Sequence, residues 1–306
     1  MKRLAWFAAS LLAACASVPP APDGLLGQKP SYLEAATAGV PNEAAIARRI
    51  WTPGLDDGWV PQGLTVAGSD VLVAQYHPSP DLKANTGPCR VVRLDRSSGQ
   101  ATGAFDLPVG ACTHAGGLAY LGGNRLLLAD TRRLFLVDLS RAFSTGHAEG
   151  AMKSLKLEGA LRGSFAGFDG HDPWIGTWTK KAPESRMYRF DAQLFDQRDG
   201  RAIDDTMVAE VRPIPLESQG LAFDAQKRAW LSASNSKWGK LYRVASDGRV
   251  EAEYDMTVGL EDLEFDDTGA LWGVSESGTR KYMGWAAHFP FVFAIDLARL
   301  VPSARR

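Results

Sequence analysis

One short motif recurs along the chain about every fifty residues. Each copy begins a short apolar segment, and four copies are Gln62-Gly63-Leu64, Gly116-Gly117-Leu118, Gln219-Gly220-Leu221 and Glu261-Asp262-Leu263. A degenerate copy, Ser164-Phe165-Ala166, fills the gap between the second and third of these. A fixed period of this length indicates a solenoid, a propeller or an array of small units.

The segments after each motif alternate apolar and polar residues, which is typical of half-buried strands. Second strands are predicted at 70–75, 125–130, 173–178, 229–234 and 270–275. Third strands are predicted at 90–95, 134–138, 185–191, 240–245 and 291–296. Fourth strands are predicted at 101–107, 154–158, 207–213 and 250–255. The repeat unit is therefore a small β-sheet, and the chain is predicted to be all-β.

The last repeat ends near Leu300 and has no fourth strand of its own. The segment 46–52 precedes the first motif at a suitable distance, so it is the natural source of the missing strand. Pairing of the first and last segments would close a ring and remove exposed strand edges. Five motif copies predict a five-bladed β-propeller closed in this way. Six blades is the alternative, in case two repeats are merged in this count.

The first fifteen residues predict the cellular compartment. Lys2 and Arg3 precede an apolar stretch at 4–14, which is too short to span a bilayer. The stretch ends in Leu12-Ala13-Ala14-Cys15, which resembles the signal of bacterial lipoproteins. This resemblance implies cleavage before Cys15 and attachment of a diacylglycerol and a palmitate there, which anchor the chain to a membrane. Because Ala16 is not aspartate, the resemblance further implies the outer membrane of the cell envelope, facing the periplasm.

The expected organisation follows from these features. It consists of a removed signal peptide at 1–14, a lipidated tether at 15–45, a β-propeller at 46–300 and a basic tail at 301–306. The spacing of Ser31 and Glu34 matches a capping box and predicts a short helix after it. Lysine and arginine number 34 against 35 for aspartate and glutamate, so no excess of positive charge points to nucleic acid.

Cys89 and Cys112 remain after lipidation of Cys15. They flank the predicted hairpin formed by 90–95 and 101–107, whose ends should lie close together. An exported compartment permits disulfides. We therefore expect a structural Cys89–Cys112 bridge, and the absence of a CxxC motif argues against a redox or metal role.

Two columns of residues are expected to converge on the axis of the ring. The first column begins the innermost strands and contains Gln62, Gly116, Ser164, Gln219 and Glu261. The second ends the second strands and contains Tyr76, Thr131, Trp178, Asn235 and Glu276. From these we predict a ligand site formed by Gln62, Gln219, Glu261, Tyr76, Trp178, Asn235 and Glu276. His114 and Glu261 are the candidates for acid–base catalysis.

The repeat resembles a broad superfamily of propellers over residues 45–300. That superfamily holds gluconolactonase- and regucalcin-like, strictosidine-synthase-like, NHL-repeat and bacterial glutaminyl-cyclase propellers. The resemblance implies two activities, lactone hydrolysis with a metal and cyclisation with a glutamate as proton shuttle. Both families open a blade with an acidic motif, whereas Gln62 here carries an amide.

No metal site is predicted and the cofactor is unknown; calcium is the open alternative. Calcium needs several oxygen ligands, and Glu261, Asp262 and Glu264 do not share one face of a strand. The aromatic segment 281–291 has three possible roles. It caps the mouth of the central channel of the ring, docks a partner, or packs beside the ring. The predicted function is therefore an envelope propeller that binds a small polar ligand or an envelope protein without chemistry, and a hydrolase or cyclase is the alternative.

Overall fold

The computed structural model describes residues 25–197, 200 and 202–304, so the predicted signal peptide and Cys15 lie outside the described residues. Five sheets form in the described chain. Blade 1 contains Val60–Ala67, Asp70–Pro78, Asn85–Asp95 and Ala101–Asp106. Blade 2 contains Gly117–Tyr120, Arg125–Asp130, Arg133–Asp138, Met152–Leu157 and the short Ala202–Ile203. Blade 3 contains Phe165–Phe168, Pro173–Gly176, Arg186–Arg189 and Glu210–Pro213.

Blade 4 contains Ser218–Phe223, Ala229–Ser234, Gly239–Val244 and Val250–Met256. Blade 5 contains Leu260–Phe265, Leu271–Ser275 and Phe291–Ile295, with Ile46–Trp51 and Leu25–Leu26 added at its outer edge. Short helices lie outside the sheets at Leu139–Thr145 and Gln193–Gln197. Single 3-10 turns occur at Glu43–Ala45, Ala182–Glu184, Asp205–Met207, Arg280–Tyr282 and Leu297–Arg299. None of the helices in the described ranges is long and apolar enough to cross a membrane.

The innermost strands contact one another in cyclic order, from blade 1 through blade 5 and back to blade 1. Blade 5 is completed from the start of the chain, because Ile46–Trp51 pairs antiparallel with Phe291–Ile295 and aligns Ile50 with Val292. The protein is therefore a five-bladed β-propeller, and the predicted closure by first and last segments is confirmed.

The apolar core is divided among the gaps between blades. Each of five buried clusters joins residues of two neighbouring blades. Leu64 of blade 1 packs with Val274 of blade 5, for example, and Phe165 of blade 3 packs with Leu231 of blade 4. Burial of this surface drives the blades together, so each blade depends on both of its neighbours.

The glycines of the repeated motif allow the innermost strands to approach closely. A Cβ atom added to Gly117 would lie 2.2 Å from the Ala166 nitrogen of blade 3. A Cβ atom added to Gly220 would lie 2.5 Å from the Asp262 Cα atom of blade 5. Real Cβ contacts are never this short, so any larger residue would force the strands apart. Close approach near the axis explains why glycine recurs at this place in the repeat.

β-Bulges interrupt three of the innermost strands at the repeated motif. The register shifts between Pro61 and Leu64, between Ser218 and Gly220, and between Leu260 and Leu263. A bulge re-aims side chains and is common next to functional sites. The bulges contain Gln62, Gln219 and Glu261, three of the predicted site residues.

Residues 25–45, which belong to the predicted tether, lie against blade 5. Leu33 and Val40 are buried, and the Tyr32 hydroxyl donates to the Gly278 carbonyl at 3.0 Å. The helix predicted after Ser31 is wrong, because 31–41 contains no helix. The Ser31 hydroxyl donates to Asp56 Oδ1 at 2.7 Å, so it makes a tertiary hydrogen bond and does not cap a helix.

Candidate functional site

A cavity of about 1210 Å³ lies at the end of the channel where the second strands terminate. Each blade contributes polar residues to its lining, among them Gln62, Thr131, Ser164, Gln219 and Glu276. These are members of the two residue columns that the repeat aligns. The ring geometry therefore gathers equivalent positions of all five blades around one space.

The predicted ligand-binding residues occupy two layers of this site. Gln62, Gln219, Trp178, Asn235 and Glu276 line the cavity, as does His114. Tyr76 and Glu261 are buried, with exposed fractions of 0% and 1%, and lie behind the lining residues. The structure thus brings all the predicted residues together, with two of them in a supporting layer.

Glu261 and Glu276 form a hydrogen-bonded pair of carboxyl groups at the inner end of the cavity. Gln62 donates its amide to Glu276 Oε2, and Gln219 Nε2 donates to Glu261 Oε1 at 3.0 Å. Burial, together with the neighbouring charge of Glu276, raises the pKa of Glu261 well above its ordinary value. Burial also raises the pKa of Glu276 to about 8 against the opposing effect of Lys281. Two buried carboxyl groups this close retain at least one proton near neutral pH.

Two tyrosines and a lysine extend this pair toward the wall of the cavity. The Tyr282 hydroxyl bonds Glu276 and lies 3.1 Å from the Tyr76 hydroxyl. Lys281 Nζ donates to the Tyr76 hydroxyl at 3.1 Å and to Asn85 Oδ1. Burial raises the pKa of both tyrosines above the ordinary value and lowers the pKa of Lys281. The tyrosines are therefore neutral hydrogen-bonding groups and not acids in this site.

His114 lies on the blade 2 side of the cavity, in the loop that precedes the innermost strand. Asn85 Nδ2 is 2.7 Å from His114 Nδ1, and the Tyr76 and His114 ring centroids are 5.1 Å apart. Burial lowers the pKa of His114 to about 4, with Asp130 raising it and Lys281 lowering it further. The imidazole is therefore neutral at physiological pH.

The loop that carries His114 is held by a disulfide and by one carboxylate. Cys89 and Cys112 are bonded, with Cα atoms 5.8 Å apart, which confirms the predicted bridge. The carboxylate of Asp130 accepts the backbone N–H groups of Thr113, His114 and Ala115 at 3.1, 2.7 and 3.1 Å. Three fixed N–H groups and a covalent link leave this loop little freedom.

The opposite side of the cavity is formed by blades 3 and 4 and is more exposed. Trp178 is 39% exposed, and Lys180 Nζ lies 5.8 Å from the centroid of its ring. Lys180 also pairs with Glu217 at 3.5 Å, and Asn235 Nδ2 donates to Glu217 Oε2 at 3.2 Å. This side offers an aromatic face with mixed charges beside it.

Three residues of the site were missed by the sequence reasoning. Asn85 lies between the strands predicted at 70–75 and 90–95, whereas the blade 1 strand extends over Asn85–Asp95. Lys281 and Tyr282 belong to the aromatic segment 281–291, which the sequence singled out without fixing its place. Tyr282 and Trp285 line the cavity, so this segment forms part of the cavity wall. The aromatic composition was the available signal, but it did not specify the contact.

The acidic residues of blade 5 have separate partners. Asp262 Oδ2 accepts the backbone N–H groups of Leu64 and Leu118 at 3.0 and 2.8 Å, which ties blades 1, 2 and 5 together. Glu264 Oε2 accepts the Thr65 hydroxyl at 3.2 Å. Within residues 25–197, 200 and 202–304 no three His, Cys, Asp or Glu residues are grouped so as to hold a metal ion.

No protein-family model matches the chain, and no curated protein matches it. Among solved structures, it is similar to the PQQ-bound aldose sugar dehydrogenase of Streptomyces coelicolor, with 17% identity and a TM-score of 0.43 over 79% of this chain and 80% of that one. It is also similar to virginiamycin B lyase of Staphylococcus aureus, with 14% identity and a TM-score of 0.38 over 74% and 67% of the two chains. The Dos1 propeller gives 14% identity and a TM-score of 0.37 over 75% and 53%. These neighbours are β-propellers, and the likeness does not extend to an activity.

Proposed function

We propose that the cavity binds a small polar ligand. The observation that carries this proposal is the convergence of polar side chains from all five blades on one cavity with a buried, hydrogen-bonded carboxyl pair at its inner end. A space lined by a few fixed polar groups and aromatic faces is the usual form of a small-molecule site. Trp178, Tyr282 and Trp285 supply the aromatic faces.

An unsatisfied polar atom supports a ligand in this position. Ser234 lines the cavity and is 1% exposed. Its Oγ atom is buried, and in the described part of the chain it has no hydrogen-bond partner. Leaving such a group unpaired costs about 1–3 kcal/mol. A ligand hydroxyl or amide would recover that energy.

Strained backbone supports it as well. Ala115, Thr131 and Glu217 have positive φ angles of 53°, 39° and 56°. Ala115 follows His114, while Thr131 and Glu217 line the cavity. Residues held in such conformations concentrate at ligand sites.

A hydrolase or cyclase is the second candidate, and the Glu261–Glu276 pair is the observation that favours it. Because burial raises the pKa of Glu276 to about 8, its carboxyl group has an acidity suited to general acid–base catalysis near neutral pH. Catalysis would make Glu276 essential for turnover, whereas a binding protein needs only its hydrogen bonds.

The location of the protein is a proposal from the sequence alone. We infer that Cys15 is lipidated and that the propeller lies on the periplasmic side of the outer membrane. Mass spectrometry of the mature amino terminus tests this inference. A mature chain that begins at Cys15 and carries acyl chains supports it, and an unmodified cysteine contradicts it.

The first experiment is a thermal-shift screen of the purified chain against sugars, lactones, amino-acid derivatives and divalent metals. A ligand that binds only the native state raises the melting temperature by mass action. We expect Glu276→Gln to weaken binding of any hit. Glu149→Gln is the matched control, because Glu149 is an exposed residue outside the cavity.

The same variants separate the two candidates. If a hit is converted to a product by the wild type and not by Glu276→Gln, the protein is an enzyme. If a hit survives Glu276→Gln unchanged, it does not bind at the inner end of the cavity. Hits that no cavity variant affects would contradict the proposed function and favour a protein partner.

A further inference from the structure

His114 uses only one of its two ring nitrogens in the network. Asn85 Nδ2 lies 2.7 Å from His114 Nδ1. Among the described residues, His114 Nε2 has no hydrogen-bond partner, although the ring lines the cavity. A neutral imidazole has one N–H donor and one acceptor nitrogen. The group that Asn85 presents therefore decides which nitrogen carries the proton.

Lys281 fixes the orientation of the Asn85 amide. Its ammonium group donates to Asn85 Oδ1, and an ammonium group can only donate. The amide oxygen must therefore face Lys281, and the amide NH₂ must face His114. Amide orientations are assigned from the hydrogen-bond network, and here a cationic neighbour determines the assignment. Asn85 thus donates to Nδ1, which carries no proton.

Burial is the main effect that disfavours a second proton on the imidazole, and the two nearby charges oppose each other. Lys281 places a positive charge nearby and disfavours a second proton on the ring. The one opposing charge is Asp130, whose carboxylate is occupied by the three backbone N–H groups of the loop. Tyr76 packs against the ring and stays neutral because burial raises its pKa.

We propose that Lys281 and Asn85 hold His114 as a neutral imidazole with its proton on Nε2, and that this N–H donates to a carbonyl or hydroxyl oxygen of an uncharged ligand. The inference rests on the proposed ligand-binding function and names the ligand class. His114 is then a hydrogen-bond donor in this site and not a general base.

The inner end of the cavity fits the same ligand class. The Glu261–Glu276 pair retains at least one proton, so it carries no more than one negative charge near neutral pH. The ammonium group of Lys281 offsets that charge. The pair therefore does not form an anionic pocket for an amine, and it offers a ligand hydroxyl both a donor and an acceptor. A sugar-sized molecule rich in hydroxyl groups satisfies these partners.

The tautomer is tested by NMR on protein labelled with ¹⁵N in its histidines. We expect His114 to show a protonated Nε2 and an unprotonated Nδ1 throughout the range from about pH 5 to pH 8, where an ordinary histidine titrates. A His114 that becomes doubly protonated near pH 6, or that carries its proton on Nδ1, overturns the proposal. This measurement needs no ligand and uses the wild-type protein.

A variant tests the role of Asn85. Asn85→Asp replaces the donor with an acceptor, so it should move the proton of the neutral ring from Nε2 to Nδ1. The control is Gln28→Glu, which adds the same charge at an exposed position and should leave the His114 spectrum unchanged. An Asn85→Asp spectrum identical to that of the wild type contradicts the inferred contact.

The ligand class is tested with three hexoses that share one scaffold: glucose, glucosamine and glucuronate. Calorimetry should show the tightest binding for glucose, and Asn85→Asp should weaken it about tenfold, as expected for loss of one hydrogen bond. Gln28→Glu should bind as the wild type does. Tighter binding of glucosamine, or no binding of any hexose, overturns the ligand class. Failure of the whole thermal-shift panel instead contradicts the proposed function, while the tautomer is read independently.

Discussion

Thr131 adopts a backbone conformation that is unfavourable for its side chain. Its φ angle is 39°, and a β-branched residue in this region is a true outlier. The conformation is imposed from both sides, because Thr131 exchanges backbone hydrogen bonds with Gly163 at 3.0 and 2.9 Å. Blade 2 and the start of blade 3 are thereby joined at the cavity.

Releasing this strain should stabilise the fold. Asparagine tolerates positive φ better than threonine, so Thr131→Asn should raise the free energy of unfolding by about 1 kcal/mol. Urea denaturation measures the change. The control is Thr102→Asn in the extended strand Ala101–Asp106, which should give no gain. A loss of stability in Thr131→Asn would contradict the assigned strain.

Glu276 makes the stability of the fold depend on pH. Its pKa is raised from 4.5 to about 8 in the folded state, so the folded chain binds a proton that the unfolded chain releases. Its contribution to the free energy of unfolding is fully present below about pH 4.5 and is lost as the pH rises to about 8.

The Glu276→Gln variant should therefore show a flatter stability profile than the wild type. Between about pH 5 and pH 8 the wild-type unfolding free energy should fall more steeply, by up to about 1.4 kcal/mol per pH unit. Denaturant titrations at several pH values give the two slopes. Glu149→Gln should retain the wild-type slope, and equal slopes for wild type and Glu276→Gln would show that Glu276 is ionised in the folded state.

At the scale of the elements, the innermost strands are the most constrained part of the fold. Their glycines face the backbone of the next blade, and their bulges direct Gln62, Gln219 and Glu261 toward the axis. These constraints recur at the innermost strands, so the repeat is clearest there.

Gly117→Ala tests this packing. The added methyl group would lie 2.2 Å from the Ala166 nitrogen, so we expect a loss of about 1–3 kcal/mol or more of stability. Gly284→Ala is the matched control, because a Cβ atom there meets nothing within 4 Å, and it should change stability by less than about 0.5 kcal/mol. Thermal or urea unfolding of both variants gives the comparison. Equal effects would show that the strands are farther apart than the structure has them.

At the scale of the whole molecule, the ring depends on one strand from the start of the chain. Ile50 of Ile46–Trp51 is fully buried between blades 5 and 1, where it packs with Trp272 and Leu64. Without this strand, blade 5 would expose the edge of Phe291–Ile295.

Ile50→Ala should destabilise the entire propeller by about 2–5 kcal/mol, because it leaves a cavity at the closure. Val250→Ala, in an outer strand where Val250 is 41% exposed, should have a small effect. Circular dichroism monitors the unfolding of both variants. A single cooperative transition in each would show that closure couples all five blades. Melting of blade 5 alone in Ile50→Ala would refute that coupling.

Much of the architecture was predictable from local patterns. The second strand of blade 2, predicted at 125–130, is Arg125–Asp130 in the structure, and that of blade 4 is Ala229–Ser234. The alternation of apolar and polar residues and the turn residues between strands involve only a few consecutive positions, so they can be read directly from the sequence. The helix predicted after Ser31 does not form, and local pattern could not show this. The Ser31 hydroxyl, which would cap such a helix, donates instead to Asp56, 25 positions away.

By itself, the sequence determined the repeating β-sheet unit, the order of its strands, the closing segment and the two columns that meet at the axis; it favoured five blades and left six open. Only the tertiary structure decided which residues of those columns form hydrogen bonds, and with which partners. Gln62 donates to Glu276 across 214 positions and Lys281 to Asn85 across 196. Such contacts leave no local pattern, because they exist only once the ring is closed. Burial at the axis then sets the protonation of the carboxyl pair and of His114, which no residue type specifies alone.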